Sequence, residues 1–355
     1  MKRIFLLFLS LFICTSVFAD PIKEFVVIGD SLSDNGNLYA KFLKIVPKSP
    51  PYFQGRFTNG PTWAEDVGKY YYDQYNINYK VVAYGGATAI LHNPIYDKFI
   101  APITLDGEMA EYFWGSMLTD KSKVLYAIWI GANDYLYDEQ PNMDNLVKDV
   151  VDKISSSTKA LIISGAKTIV ILNLPDLART PFAKSHNNGE RLHTLTINHN
   201  QKLNEAIAKL QSAYPKVKIV TINIYDVFNN FLDNTTAFNQ TYNVNITNTN
   251  EACWKGGMTL NQSANAKVLN AELQQAMTKQ RVKINNFDAT AVSNFIMSSP
   301  SLALAYNTSK AHDDGLKACS NADEHIFWDE LHPTDVVHMV LSKIFVNTLQ
   351  AEKLI

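Results

Sequence analysis

Five short apolar runs, separated by longer segments with helical spacing, constrain the fold of this chain more than any other feature. The runs are rich in Val, Ile and aromatic residues and lack a clean alternation of polar and apolar positions. Each therefore predicts a strand that is buried on both faces. The runs cover residues 25–28, 81–84, 124–130, 168–174 and 218–224.

The segments between and after these runs repeat their apolar residues at helical spacing, and prolines or a glycine mark several of their ends. Strands that alternate with helices indicate an α/β protein whose parallel sheet carries helices on both faces. Right-handed crossovers then place the carboxyl ends of the strands at one edge, where we expect the functional residues. The predicted helices cover residues 62–75, 144–164, 193–214 and 334–354.

Residues 1–19 have the pattern of a secretory signal peptide. Lys2 and Arg3 precede an apolar run over residues 4–18, and a small residue, Ala19, stands at the expected cleavage position. A membrane anchor is the alternative, but it needs roughly 20 apolar residues. We therefore expect cleavage near Ala19 and a secreted protein, extracellular or periplasmic.

Export changes what the cysteines imply. Cys253 and Cys319 remain after cleavage, and in an oxidising compartment they predict one disulfide, with two unrelated buried thiols as the alternative. Both lie in a segment over about residues 229–321 that is rich in Asn, Thr, Ser and Gln. We interpret this segment as an insertion within a single domain that spans residues 20–355.

The charge balance argues against one class of partner. The chain has 32 Lys and Arg residues against 34 Asp and Glu residues, a net charge of −2, and it lacks the basic stripe of a nucleic-acid-binding protein. Two cysteines do not make a zinc site, and no histidine stands at metal-ligand spacing to them. We therefore expect neither nucleic acid nor a metal, and no cofactor.

Residues that could carry acyl-transfer chemistry follow the first three predicted strands. Ser31, in Gly-Asp-Ser-Leu, can project its hydroxyl above the sheet edge from a strand-to-helix turn, or it can cap a helix. Gly86 allows a backbone N–H to approach a ligand closely, or it forms a tight turn. Asn133, in Gly-Ala-Asn-Asp, can donate from its amide to a developing oxyanion, or it can close a turn.

A carboxylate and an imidazole stand three residues apart near the C-terminus. On a helical turn, Asp329 and His332 point the same way. The carboxylate can then accept a hydrogen bond from one ring nitrogen and leave the other to take a proton from a serine. A surface turn is the alternative for an isolated pair. His325 and His338 lack a carboxylate at such spacing, and we expect His338 to pack on the last helix.

Taken together, these blocks resemble the GDSL, or SGNH, hydrolase family. The Gly-Asp-Ser-Leu of residues 29–32 resembles the first family block, Gly86 the second, Asn133 the third, and Asp329 with His332 the last. The resemblance runs from the first strand to the last helix and leaves out most of the insertion. It implies a three-layer α/β/α sandwich with a parallel five-stranded sheet of the flavodoxin-like type.

The resemblance also implies a role for each matched residue. Ser31 is the expected nucleophile, His332 the general base and acid, and Asp329 the residue that orients His332. The backbone N–H groups of Ser31 and Gly86 and the side chain of Asn133 are expected to form the oxyanion hole. The implied activity is ester cleavage through an acyl-enzyme.

Two further stretches, residues 55–60 and 327–334, look most like secreted bacterial phospholipase A, lysophospholipase and glycerophospholipid–cholesterol acyltransferase enzymes. They imply a lipid or membrane-surface substrate, with cholesterol as a further acyl acceptor. The alternatives are a carbohydrate or short-chain carboxylesterase and a non-catalytic secreted binding protein. Core packing is the role we expect for four aromatic residues, with lipid contact as the alternative: Tyr52, Phe53, Phe113 and Trp114.

Two apolar stretches, residues 268–277 and 296–305, lie between the paired cysteines. A tethered element with an apolar face, placed beside the site, suits a lid over a lipid-binding cleft. Such a lid opens at a membrane or after cleavage by an activating protease. A surface excursion with no effect on catalysis is the alternative.

Overall fold

Five parallel strands form the central sheet, in a computed structural model that describes residues 21–92, 103–136, 142–254, 265–280 and 287–355. The predicted signal peptide and its cleavage site lie outside these residues. The strands are β1 (Glu24–Gly29), β2 (Asn78–Val81), β3 (Val124–Trp129), β4 (Thr168–Leu172) and β5 (Lys218–Ile222). Their order is β2-β1-β3-β4-β5, which is the flavodoxin-like, doubly wound order. The predicted fold class is confirmed.

The helices that the structure describes are, in chain order, α1 (Asn37–Lys41), α2 (Trp63–Tyr75), α3 (Leu105–Gly115), α4 (Ala132–Leu136), α5 (Met143–Ile163), α6 (Pro181–Ser185), α7 (Gly189–Ala213), α8 (Ile224–Asp233), α9 (Thr235–Tyr242), α10 (Ala266–Gln280), α11 (Ala289–Ser298), α12 (Pro300–Asp313) and α13 (Asp335–Ala351). A second, two-stranded parallel sheet pairs β6 (Asn248–Ala252) with β7 (His325–Phe327).

Two helical layers cover the sheet. Helix α2 packs against α13, and α5 packs against α7. Because the chain winds in opposite directions from the centre of the sheet, right-handed crossovers place these two pairs on opposite faces. Every residue of β3 and of β4 is buried, as expected for strands with helices on both faces.

The second strand lies earlier in the chain than predicted. The apolar run predicts a strand over residues 81–84, but β2 covers Asn78–Val81. Its first residues are exposed and polar, so an apolar run could not mark where this edge strand begins. The segment after β2 still bonds to β1, since Val82 N donates to the Val27 carbonyl at 2.7 Å and Tyr84 N to the Gly29 carbonyl at 3.1 Å. It then turns away into the two glycines at residues 85 and 86.

The polar segment over residues 229–321 contains more regular structure than its composition suggests. Helix α8 runs across its expected start, and β6, although largely polar, pairs with β7. The apolar stretch 296–305 is divided between α11 and α12 at Pro300, a residue that fits the first turn of a helix. The Cys253–Cys319 disulfide is present, as predicted. Among the described residues, no helix is both long enough and apolar enough to cross a bilayer.

Candidate active site

The turn after β1 and the turn before α13 meet at the carboxyl edge of the sheet. Ser31 Oγ lies 2.9 Å from His332 Nε2, and His332 Nδ1 lies 2.8 Å from Asp329 Oδ2. All three residues are buried. The structure therefore joins the predicted serine, histidine and aspartate in one hydrogen-bonded chain, in the arrangement that lets an imidazole accept a serine proton.

Close contact between neighbouring strands shapes the turn that carries Ser31. A side chain at Gly29 would place its Cβ 2.3 Å from the carbonyl oxygen of Trp129 on β3, so only glycine fits. The Asp30 carboxylate accepts from Leu32 N at 3.0 Å, and the Asp30 carbonyl accepts from Ser33 N at 3.0 Å. Ser31 therefore lies in a tight turn rather than at the start of an α-helix, since α1 begins only at Asn37.

The turn that carries His332 is closed by the side chain of Asp329 rather than by helical bonds. Asp329 Oδ1 accepts from Leu331 N at 2.8 Å and from His332 N at 2.7 Å. Burial alone would raise the pKa of Asp329, but the charge of His332 and hydrogen bonds from His332 and Tyr52 outweigh it and hold that pKa below its usual value. The carboxylate is therefore ionised beside the imidazole.

The predicted oxyanion residues lie on loops beside Ser31. Gly86 has a left-handed φ of +73°, and a Cβ there would lie 2.7 Å from Leu302 Cγ. Asn133, at the start of α4, donates from Nδ2 to the Ala87 carbonyl at 2.9 Å and accepts from Ser301 Oγ at 2.8 Å. An amide group has two N–H donors, so this bond to Ala87 uses one of them.

Two buried aspartates connect these loops. Asp34 Oδ2 accepts from Gly85 N at 2.7 Å, which links the serine turn to the Gly86 loop. Asp134 accepts from Ala89 N at 2.7 Å and from Ile90 N at 3.1 Å, which links α4 to the same loop. Sequence reasoning missed both residues, although each lies within three positions of a predicted site residue. Their bonds set the spacing of the three candidate oxyanion donors.

An apolar pocket borders Ser31 and His332. Asn133 and Ser301 also reach its wall. A mainly apolar cleft with a few convergent polar groups is the usual form of a small-molecule site, and this one has the character needed for an acyl chain. The apolar side chains that line it include Trp129, Leu136, Leu177, Ile224, Phe228 and Leu331.

The four aromatic residues considered for lipid contact differ in their exposure and in their position relative to the site. Tyr52 is only 1% exposed, so it packs in the core, as expected, and does not contact lipid. Trp114 is 79% exposed, but it lies near the end of α3, just before the stretch that leads into the start of β3. The start of a parallel strand is at the amino edge of the sheet, opposite the site. Phe113 packs partly against the core, and Phe53 is half-buried.

The remaining histidines near the site are not placed to act as bases. His338 is buried on α13, where it accepts from Trp63 N at 3.3 Å, and burial lowers its pKa to about 3. His325 lies beside the disulfide, 3.7 Å from Cys319 Sγ. Within the residues that the structure describes, no group of three or more His, Cys, Asp and Glu side chains converges as metal ligands would.

Comparison with known proteins places this geometry in a family. The model of the GDSL-like Lipase/Acylhydrolase family matches residues 25–345. The chain is 31% identical to a phosphatidylcholine-sterol acyltransferase of Aeromonas hydrophila over 361 residues, covering 99% of this chain and 98% of that protein. It is also 31% identical to the secreted effector protein SseJ of Salmonella typhimurium over 58% of this chain and 48% of that protein.

Among solved structures, an acetylxylan esterase mutant from Geobacillus stearothermophilus aligns with 93% of this chain and 95% of its own, at a TM-score of 0.39 and 11% identity. The family model covers most of the chain, and the full-length relative supports the same assignment. The chain belongs to the GDSL-like lipase/acylhydrolase family.

Proposed function

We propose that this protein is a secreted serine esterase that cleaves the acyl esters of phospholipids and lysophospholipids through an acyl-enzyme. The observation that carries the proposal is the Ser31–His332–Asp329 chain at the edge of an apolar pocket. The first part supplies an activated nucleophile, and the second supplies an apolar wall against which the hydrocarbon part of an acyl ester can pack.

The proposed reaction follows from the distances in the site. As Ser31 Oγ attacks the ester carbonyl, His332 Nε2 takes its proton, and the charge of Asp329 stabilises the resulting imidazolium. The N–H groups of Ser31 and Gly86 and the amide of Asn133 stabilise the oxyanion. His332 then gives the proton to the leaving alcohol, and water releases the acyl group by the reverse sequence.

Acyl transfer to a sterol belongs to the same proposal. A sterol hydroxyl that replaces water at the acyl-enzyme yields a sterol ester by the same proton transfers. The relative that matches over its full length is a phosphatidylcholine-sterol acyltransferase, which supports this step. The substrate partner is then a lipid surface, with cholesterol as one acceptor.

Secretion is supported by the disulfide, because structural disulfides persist in oxidising compartments. The predicted signal peptide points the same way, and cleavage near Ala19 remains a prediction.

A lid function for the insertion is supported by the position of α12. Its first turn reaches the oxyanion residues, with Ser301 bonded to Asn133 and Leu302 packed against Gly86. In this arrangement α12 covers part of the site. We therefore propose that the insertion moves when the enzyme meets a membrane or after an activating protease cuts it.

The test is lipid product analysis after incubation with mixed phospholipid vesicles, with and without cholesterol. Parallel reactions contain lysophospholipid or acetylated sugars, and Ser31→Ala protein is the control for contaminating esterase. The proposal predicts free fatty acid and lysophospholipid, and sterol ester when cholesterol is present. Faster release of acetate from sugars than of fatty acid from lipids would favour the carbohydrate esterase instead. No release from any ester would indicate a binding protein.

A further inference from the structure

We propose that Tyr52 is a positioning residue for this reaction, whose hydroxyl holds the Asp329 carboxylate where it orients His332 toward Ser31. The Tyr52 hydroxyl donates to Asp329 Oδ2 at 2.6 Å, and the side chain is buried. The inference rests on the proposed function, since it concerns the same proton transfers. It adds a fourth residue, 277 positions away from Asp329 in the chain.

The donors around Asp329 come from two different parts of the molecule. Leu331 N, His332 N and His332 Nδ1 belong to the same turn as the carboxylate. These hydrogen bonds fix the shape of the turn. They do not fix its position relative to the sheet, because their donors and their acceptor all belong to the same turn. Tyr52 lies outside the turn, so its bond relates the carboxylate to the rest of the fold.

The Tyr52 hydroxyl is suited to act as a permanent donor. Burial, together with the charge of Asp329, raises its pKa well above the usual value, so the hydroxyl keeps its proton. A short hydrogen bond from a neutral donor to a buried carboxylate is one of the stronger kinds in proteins. The Tyr52 hydroxyl also gives a second hydrogen bond to Asp329 Oδ2, the oxygen that lies 2.8 Å from His332 Nδ1.

The backbone around Tyr52 is held on both sides. On one side, Tyr52 N donates to the Lys48 carbonyl at 3.1 Å, and Pro50 and Pro51 restrict the intervening φ angles. On the other side, the Phe57 ring lies between Tyr52 and His332, with ring centroids 6.1 Å and 5.1 Å away. The tyrosine therefore cannot follow the aspartate if the turn shifts.

The same segment is braced by the insertion. Lys48 N donates to Ser309 Oγ on α12 at 3.1 Å, and Lys48 Nζ lies 2.7 Å from Asp313. Helix α12 therefore touches both the oxyanion side of the site, through Ser301, and the segment that carries Tyr52.

Replacing Tyr52 with phenylalanine keeps the ring and removes the bond. We expect kcat to fall about tenfold, as for loss of one hydrogen bond to a charged group, with KM within twofold. The acid limb of the kcat/KM profile should move to higher pH, because a carboxylate without this bond attracts the imidazolium proton more strongly. The other titratable groups that face this pair are Glu330, Asp30 and His338, and the variant leaves all three in place.

The experiment measures kcat and KM from pH 5 to 9 on a short-chain ester, with active sites counted by a fluorophosphonate. Tyr126→Phe is the matched control, because Tyr126 is also buried and loses one hydroxyl bond, 2.7 Å to Tyr112, away from the site. The control should keep wild-type kcat and an unmoved acid limb. If Tyr52→Phe only destabilised the fold, the number of active sites would fall and the acid limb of the kcat/KM profile would stay in place.

A double variant tests the coupling between the two residues, with each kcat taken per active site so that partial unfolding does not enter the comparison. Asp329→Asn removes the charge that Tyr52 serves, so adding Tyr52→Phe should change kcat by less than twofold. A further tenfold loss in that background would overturn the proposal, as would a Tyr52→Phe enzyme with wild-type kcat and pH profile. Wild-type activity in Asp329→Asn itself would instead overturn the proposed function.

Discussion

The two sides of the active site differ in how they are held. On the sheet side, Ser31, Gly86 and Asn133 lie on short turns at strand ends, joined by hydrogen bonds from backbone N–H groups to the buried carboxylates of Asp34 and Asp134. On the insertion side, α12 reaches the site through its first turn and belongs to a polar segment closed by a disulfide.

The energies behind the two sides differ in kind. A hydrogen bond to a buried charge contributes about 1.5–3 kcal/mol, and breaking one leaves an unsatisfied group. Helix α12 is held mainly by buried apolar side chains, among them Leu302, Leu304 and Tyr306. Its far end also carries ion pairs such as Lys48–Asp313, which contribute little because their side chains are 22% and 38% exposed. The catalytic geometry is therefore fixed by hydrogen bonds to buried carboxylates at the sheet edge, whereas any movement of α12 has to expose apolar side chains that are now buried.

On the sheet side, Ser31→Ala should cause the largest loss of activity. Without a nucleophile, ester hydrolysis should fall by about 10⁶, as in subtilisin. The fold should survive, since the change removes a single oxygen. Initial rates and thermal unfolding of the same preparation check both statements. Activity within tenfold of wild type would show that Ser31 is not the nucleophile.

Asn133→Ala tests the oxyanion role on the same side. We expect kcat to fall by about 10²–10³, as for loss of one such donor elsewhere. KM should change little, because the bond strengthens in the transition state. If KM alone rises, Asn133 contributes to ground-state binding instead.

Asn200→Ala is the matched control for Asn133→Ala. Asn200 is a buried amide that bonds the backbone of Leu174 through both its oxygen, at 3.0 Å, and its nitrogen, at 2.9 Å. Its loss should lower the unfolding temperature while kcat per folded molecule stays near that of wild type.

Proteolytic nicking between Cys253 and Cys319, with the disulfide intact, tests the insertion side. A lid predicts a several-fold change in activity on long-chain lipids and little change on a small soluble ester. The Cys253–Cys319 disulfide still joins the two fragments after the cut, so the nicked chain should stay together. Equal effects on both substrates, or no effect on either, would mean that the insertion is not a lid.

A smaller effect, on stability rather than turnover, is expected at Asp30. Burial raises its pKa to about 7, whereas an aspartate in an unfolded chain titrates near 4. Between these values the folded state binds the extra proton, so its free energy of unfolding falls as pH rises from about 4 to 7.

Asp30→Asn removes that dependence. The variant's free energy of unfolding, relative to wild type, should therefore increase across this window by on the order of a few kcal/mol. Denaturant unfolding at several pH values measures it. A difference that stays constant or decreases with pH would show that Asp30 is ionised in the folded protein.

The sequence predicted the sheet side better than the insertion side, for physical reasons. Strands β3 and β4 begin at the predicted residues because strands covered on both faces are apolar almost throughout. Strand β5, at the other edge of the sheet, also begins where predicted, since three of its five residues are buried apolar side chains. The edge strand β2 was placed too late because half of it faces solvent. The helical segments of the insertion depend on tertiary packing, and the polar β6 depends on its partner β7, so neither gives a clear local pattern.

The residues of the site also fall into two groups, those that a local sequence motif reveals and those that only the fold brings together. Ser31, Asn133 and the Asp329–His332 pair lie in short local motifs next to strand ends, which marked them as candidates, and the family resemblance supplied their roles. Tyr52 contacts Asp329 across 277 positions, and nothing in its own neighbourhood marks it as a partner of a carboxylate. The contact of Ser301 with Asn133 spans 168 positions and was equally invisible.

The central claim is that Ser31 forms the acyl-enzyme, and covalent labelling tests it most directly. A long-chain alkyl phosphonate, which stands in for the tetrahedral oxyanion, is incubated with the enzyme, and labelled peptides are located by mass spectrometry. We expect one adduct per molecule, on the peptide that contains Ser31, and loss of activity in proportion to the labelled fraction. The Ser31→Ala protein should form no adduct. Full inactivation with the label on another residue, or full activity with Ser31 labelled, would contradict it.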